Sequence, residues 1–111
     1  EDLQFKMPLL LLWNQGVRYN MPRIMVINRY QISIWSNENG EPIHVHVSKK
    51  RPSTNSTKLW LLSNGQFVMA NPNDKRVPYK DMKAIIAKLN LNAQFIRTFW
   101  IAYHGYEKYY R

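Results

Sequence analysis

From Tyr30 to Ser36 apolar and polar side chains alternate at the two-residue spacing of a strand, and ahead of them Arg23-Ile24-Met25-Val26-Ile27 forms a strand-like apolar run, with Asn28-Arg29 between the two. Side chains on a strand alternate between faces, so two such runs joined by a short polar link predict a β-hairpin. Asn37-Glu38-Asn39-Gly40-Glu41-Pro42 reads as a turn, because Asn-Gly readily supplies positive φ and proline cannot donate to a ladder. It leads into a further strand, Ile43-His44-Val45-His46-Val47-Ser48. Lys58–Leu62 and Gln66–Ala70 then flank Ser63-Asn64-Gly65, the strongest hairpin turn in the chain.

Past Asn71-Pro72-Asn73 the apolar period changes to that of a helix, with Met82, Ile85, Ile86 and Leu89 on one stripe and Lys80, Lys83 and Lys88 elsewhere. A second helix is expected from a favourable N-cap at Asn92, through Ile96, Phe99, Trp100 and Tyr103, to a stop at Gly105. Its aromatic stripe reads as core. Strands followed by helices, without strand–helix alternation, predict an α+β fold: a small antiparallel sheet of about five strands with two C-terminal helices packed on one face.

A length of 111 residues suits one domain. Residues 21–105 hold the α+β pattern, 1–20 read as an N-terminal extension that is either an extra strand or an arm, and 106–111 form a basic, aromatic tail. No internal repeat is present. The strongest apolar run, Pro8–Trp13, is too short to span a membrane or to form a secretion signal, and Glu1 and Asp2 precede it rather than a basic leader. There is no cysteine, which removes disulfides, thiolate zinc sites and thiol nucleophiles. A cytoplasmic location and no membrane partner are therefore expected.

Sixteen Lys and Arg against seven Asp and Glu give a net charge of +9, which calls for a polyanionic partner. The excess is uneven. Residues 1–48 are neutral, residues 49–80 contribute +6 (seven basic, one acidic) and residues 81–111 contribute +3 (five basic, two acidic). Lys49, Lys50 and Arg51 head a polar stretch that reads as a loop, and Lys75 and Arg76 form a second cluster. These five are the candidate nucleic-acid contacts, although charged clusters also serve simply as solvated surface. The tail Tyr103–Arg111 interleaves aromatic and basic side chains, which suits single-stranded RNA, a frayed helix end packed on a partner protein, or a disordered end.

On a strand, Ile43, Val45 and Val47 would face the helices while His44 and His46 share the opposite face, one pleat repeat apart. Gln31 and Ser33 are candidates for the exposed face of the neighbouring strand. Three readings of the pair stand side by side. The histidines are solvent-facing or hydrogen-bonded strand residues; or they act as base and acid on an RNA 2′-hydroxyl, since imidazole titrates near neutrality; or they ligate a metal with a third donor from Glu41, Glu38 or His104. No phosphate loop, nucleophile elbow or metalloprotease helix occurs, and the other carboxylates are scattered.

The ordered series Met21-Pro22-Arg23-Ile24, Tyr30, Trp35-Ser36-Asn37-Glu38, Glu41-Pro42, His44-Val45-His46-Val47, Leu59-Trp60-Leu61, Trp100 and Tyr103-His104-Gly105 resembles the bacterial domain of unknown function 4160 over about residues 21–105. Glu-Pro-x-His-Val-His-Val is the distinctive part. Asn28-Arg29-Tyr30 and Trp35 depart from the family pattern, and the Lys49–Thr57 loop is longer and more basic. The resemblance implies the toxin of a type II toxin–antitoxin pair; together with the uneven basic charge and the co-facing histidines it leads to the expectation of a toxin-like module acting on RNA or the translation machinery, with a small acidic antitoxin-like protein as partner. It brings no settled catalytic residues or cofactor. It does single out Glu41, Pro42, His44 and His46, so His44, His46 and Glu41 are the candidate catalytic set, with a ribonuclease as the enzymatic option. A non-enzymatic interaction or nucleic-acid-binding module and a small metal-binding protein are the alternatives, and self-association stays open.

Overall fold

The computed structural model describes residues 3–5, 23–35, 40–50 and 56–111. Among these described residues six strands form one sheet in the order β1-β2-β3-β4-β5-β6, each antiparallel to its neighbours. They are β1 (Leu3–Phe5), β2 (Arg23–Ile27), β3 (Tyr30–Ser33), β4 (His44–Ser48), β5 (Thr57–Leu61) and β6 (Phe67–Met69), followed by helices α1 (Tyr79–Leu91) and α2 (Ala93–His104). The five strands expected from the alternating pattern are β2–β6. The sixth is supplied by the N-terminal segment, where Leu3–Phe5 pairs with Met25–Ile27. The rest of that segment, including Pro8–Trp13, lies outside the described residues, as do Ser36–Asn39 and Arg51–Asn55.

Asn28 and Arg29 close the β2–β3 hairpin with φ of 49° and 75°. Positive φ at both central residues gives a tight turn whose twist matches that of the strands. Gly105 ends α2 at φ 83°, where its N–H reaches the Ile101 carbonyl at 2.8 Å. Asn92 stands between the helices, but its side chain does not cap α2; its Nδ2 donates back to the Lys88 carbonyl at 2.7 Å, closing the end of α1 instead.

The register separates the two faces of the sheet. Tyr30, Ile32, Val45, Val47, Leu59, Leu61, Phe67 and Met69 share one face, and all but the partly buried Met69 are core residues. Helix α1 lies on this face and buries Met82, Ile85 and Leu89. It is tied down at both ends: Tyr30 Oη donates to Asp81 at 2.7 Å, and Asn90 Oδ1 accepts the Phe67 N–H at 2.8 Å. The second bond caps an outward N–H on the edge strand β6, which shortens the stretch of edge open to further pairing. Ile96 and Trp100 of α2 complete the core.

Candidate functional site

His44 and His46 share the face opposite Val45, as alternation requires, yet they are not solvent-facing: their relative exposures are 0% and 5%. Their rings form an edge-on pair with centroids 5.0 Å apart. His44 also touches Trp60, directly across the ladder on β5, at 5.3 Å, and Trp100 of α2 at 5.2 Å. Its Nδ1 lies 2.9 Å from the Pro42 carbonyl, and because a carbonyl only accepts, the neutral ring carries its proton on Nδ1. His46 packs edge-on to Trp35 at 6.3 Å and shares a 3.3 Å hydrogen bond with the Ser56 hydroxyl. The motif proline thus serves through its carbonyl, which locks the first histidine.

Ser33 was expected on an exposed face; it is instead fully buried, opposite His46 in the β3–β4 register, and among the described residues its hydroxyl has no hydrogen-bond partner. Trp100 Nε1 is likewise buried and unpaired among them. Gln31 is half-buried and accepts from Arg23 at 2.6 Å.

Glu41 folds back onto the histidine face, but its Oε1 accepts from Lys58 Nζ at 2.8 Å. Lys58 is the cross-strand neighbour of His46, and both members of this ion pair are partly exposed. His104, the remote candidate for a third metal ligand, stacks on Trp100 at 4.1 Å, so that indole neighbours both His104 and His44. Among the described residues no three His, Asp or Glu side chains come together as a metal site, and Glu38 lies outside them.

The tail is the feature the sequence least prepared for. After Gly105 it runs back across the end of the β4–β5 pair, where the Ile43 N–H donates to the Lys108 carbonyl and the Ser63 N–H to the Arg111 carbonyl, both at 2.8 Å. Tyr106 Oη donates to the Glu41 carbonyl at 2.7 Å, and Lys108 Nζ to the Gly40 carbonyl at 2.8 Å. Tyr109 accepts from Arg97 Nε at 2.6 Å and donates to Glu107; loss of hydration is the chief reason its phenol is pushed upward. Tyr110 then lies flat on Trp60, with centroids 5.2 Å apart and planes within 2°. Lys58 Nζ sits 4.6 Å from the Trp60 ring, and the Arg111 guanidinium 5.8 Å from Tyr110. Trp60 is half-buried and Tyr110 is 53% exposed. An aromatic and cationic platform therefore lies next to the buried histidines. The signal in the sequence was Lys58-x-Trp60 facing His44-x-His46 across a ladder, but that register is visible only once β4 and β5 are paired.

Of the five basic candidates, Lys49 and Lys50 are exposed just past β4, and Arg51 lies outside the described residues. Arg76 is brought towards that loop, its Nη2 donating to the Ser56 carbonyl at 3.2 Å, while it also clasps Asp74 at 2.6 Å. The guanidinium holds the Asp74 carboxyl down at about 2. Lys75 is separate from these: it lines a groove beside α1 on the other side of the sheet. Among the described residues no helix is long and apolar enough to cross a membrane.

These features define a small α+β domain whose histidine strand is walled in by tryptophans and closed by its own C-terminal tail. The chain belongs to the family described as Domain of unknown function (DUF4160), whose model matches residues 30–101, a span that holds both histidines, Trp60 and Trp100. No curated protein and no solved structure matches it.

Proposed function

We propose that this chain is a toxin-like component of a bacterial type II toxin–antitoxin pair that acts by binding RNA or the translation machinery, with unpaired bases lying on the Trp60–Tyr110 platform. One observation carries the binding reading: two parallel aromatic rings, partly open to solvent and flanked by Lys58 and Arg111. Stacking planes bordered by cations suit single-stranded nucleic acid of any sequence, because every base has a π-face and every nucleotide a phosphate. Lys49, Lys50, Arg51 and Arg76 add phosphate contacts in this reading. The toxin assignment rests on the family resemblance.

His44, His46 and Glu41 then hold the platform in place. His44 supports the underside of Trp60 through ring contact, and Glu41 fixes Lys58 beside it. A second reading keeps the two imidazoles as acid and base of a ribonuclease, favoured by their 5.0 Å spacing. It requires the wall of Trp60 and Trp100 to open, since His44 has no accessible surface.

Binding of a fluorescent oligouridine should fall steeply with salt. Trp60→Ala and Tyr110→Ala should each weaken it about tenfold, the loss expected for one stacked base. Affinity that ignores both salt and these substitutions would sink the binding reading. Growth and RNA integrity, followed together after induction in a bacterial host, address the rest. Arrest with intact RNA supports binding; arrest with cleavage that is lost in folded histidine variants puts the ribonuclease in its place; no arrest removes the toxin assignment.

A further inference from the structure

On the other side of the sheet, the edge strand β6 and the first turns of α1 enclose a groove of about 280 Å³. Its floor is apolar, made by Met69, Val77, Met82 and Ile86. Two methionines give such a floor an adaptable surface that can repack around different side chains. Tyr79 stands at its wall with 80% of its surface exposed, an unusual setting for a large aromatic that contributes nothing to the core. Ile86 belongs to the apolar stripe of α1, yet it is only partly buried and is turned to this groove rather than to the core centre.

The charge around the groove has one effective sign. Lys75 and Lys83 are exposed on its lining. The single carboxylate on its lining among the described residues, Asp74, is already engaged by Arg76 at 2.6 Å, and its side chain is only 5% exposed. The ladder adds a further feature. Ala70 donates to Lys58 and Leu62 to Gln66, so the alternation of bonded and unbonded positions leaves the Met69 N–H and carbonyl on the outer side of the edge.

We infer that this groove docks an acidic peptide segment of a partner protein, which seats a bulky apolar side chain on Met69, Met82 and Ile86 and sets carboxylates against Lys75 and Lys83. Apolar depth gives affinity, the lysine rim selects sign, and Tyr79 is the aromatic anchor of the kind that dominates small interfaces. The inference is independent of the RNA reading, since none of these residues belongs to the Trp60 platform.

The test uses the full chain and a fluorescein-labelled peptide, Glu-Asp-Leu-Trp-Leu-Asp-Glu. Controls are the same peptide with its apolar residues replaced by serine, a version with its acidic residues replaced by lysine, and an oligouridine. The acidic apolar peptide should bind at least about tenfold tighter than either peptide control, and it should shift the Met69 and Met82 methyl resonances. Lys75→Glu with Lys83→Glu should weaken it about tenfold or more, and Tyr79→Ala, an exposed position where folding is not at stake, several-fold. Trp60→Ala should leave peptide binding unchanged while reducing oligouridine binding, which separates failure here from failure of the RNA reading. Equal binding of the serine control, wild-type affinity in the Tyr79 and lysine variants, or displacement of the peptide from the methionines by oligouridine would each overturn the assignment.

Discussion

His44→Ala distinguishes a histidine that builds the site from one that performs chemistry in it. In the folded chain the ring touches three aromatic neighbours, His46, Trp60 and Trp100, at 5.0 to 5.3 Å, and donates to the Pro42 carbonyl at 2.9 Å. Aromatic contacts of this kind contribute roughly 0.5–1.5 kcal/mol each, and a hydrogen bond about 1 kcal/mol. The sum, about 3–5 kcal/mol, matches the usual cost of cutting a buried aromatic side chain to alanine. In a domain whose whole stability is about 5–15 kcal/mol, that is a large share. His44→Asn is the partner variant. Asparagine carries its Nδ2 the same number of bonds from the backbone as the histidine Nδ1, so it can still donate to Pro42 while losing the ring. It should recover about 1 kcal/mol of the loss.

Urea unfolding followed by tryptophan fluorescence measures both variants, and the indole emission reports directly because Trp60 and Trp100 are the lost neighbours. RNA affinity is then compared under conditions where each variant is folded. A structural histidine predicts a large stability loss in His44→Ala, a smaller one in His44→Asn, and in the folded proteins a loss of RNA affinity no larger than the about tenfold expected for Trp60→Ala, because the ring acts only by supporting that indole. An unfolding midpoint for His44→Ala equal to wild type would refute the packing argument. Loss of RNA cleavage in folded His44→Asn would refute the assignment of the ring to structure.

Three further outcomes follow from the geometry. Tyr30 donates to Asp81, and that bond, aided by burial, raises the phenol from 10.0 to about 12; its stability contribution is therefore whole below pH 10 and is lost as pH climbs towards 12. That shift sets the size of the alkaline loss, roughly 1–3 kcal/mol, whereas at neutral pH Tyr30→Phe removes only the hydrogen bond to the Asp81 carboxylate, about 1–2 kcal/mol, and it should flatten the alkaline limb of urea melts. Asp74 is depressed from 3.8 to about 2, first by the Arg76 side chain, so its contribution is present above pH 3.8 and fades as pH falls through 2; Arg76→Gln should remove about 1 kcal/mol at neutral pH and much of that acid dependence, read by the same melts. Arg29 sits at φ 75°, where a side chain costs about 1 kcal/mol that glycine avoids, so Arg29→Gly should hold or raise the melting temperature by a few degrees, and a fall would contradict the strained-turn account.

Strand and helix placement was legible because alternation and helical period are local signals, and Ile32, Val45, Leu59 and Ile85 follow them. The histidine pair was legible as a shared face, since that needs only the pleat. Its burial was not, because the wall is made by Trp60 across the ladder and by Trp100 far downstream, and neither contact leaves a mark within β4 itself. The tail was misleading for a similar reason: Tyr106, Lys108, Tyr109 and Tyr110 have no periodicity, and the order comes from distant partners, with Tyr106 and Lys108 bonded to residues 40–43, Arg111 to Ser63, Tyr109 to Arg97, and Tyr110 stacked on Trp60. Asn92 shows the limit of capping rules, since one side chain between two helices can serve either end and here it serves the first.

The uneven charge of the chain gains meaning from the sheet. Trp60 and Leu59 are consecutive on β5 and so point to opposite faces, and Met69 shares the face of Leu59. Lys58 and Arg111 therefore border the aromatic platform on one side, while Lys75 and Lys83 border the apolar groove on the other. With a sheet between them, the platform cations and the groove lysines face separate volumes of solvent, and at physiological salt, where the screening length is about 8 Å, anions on each should repel one another only weakly. Oligouridine and the acidic peptide should then bind together at physiological salt and begin to oppose one another only as salt is lowered and the screening length grows. Mutual exclusion at high salt would mean instead that the two ligands share a surface, and that the excess charge after residue 48 serves one partner rather than two.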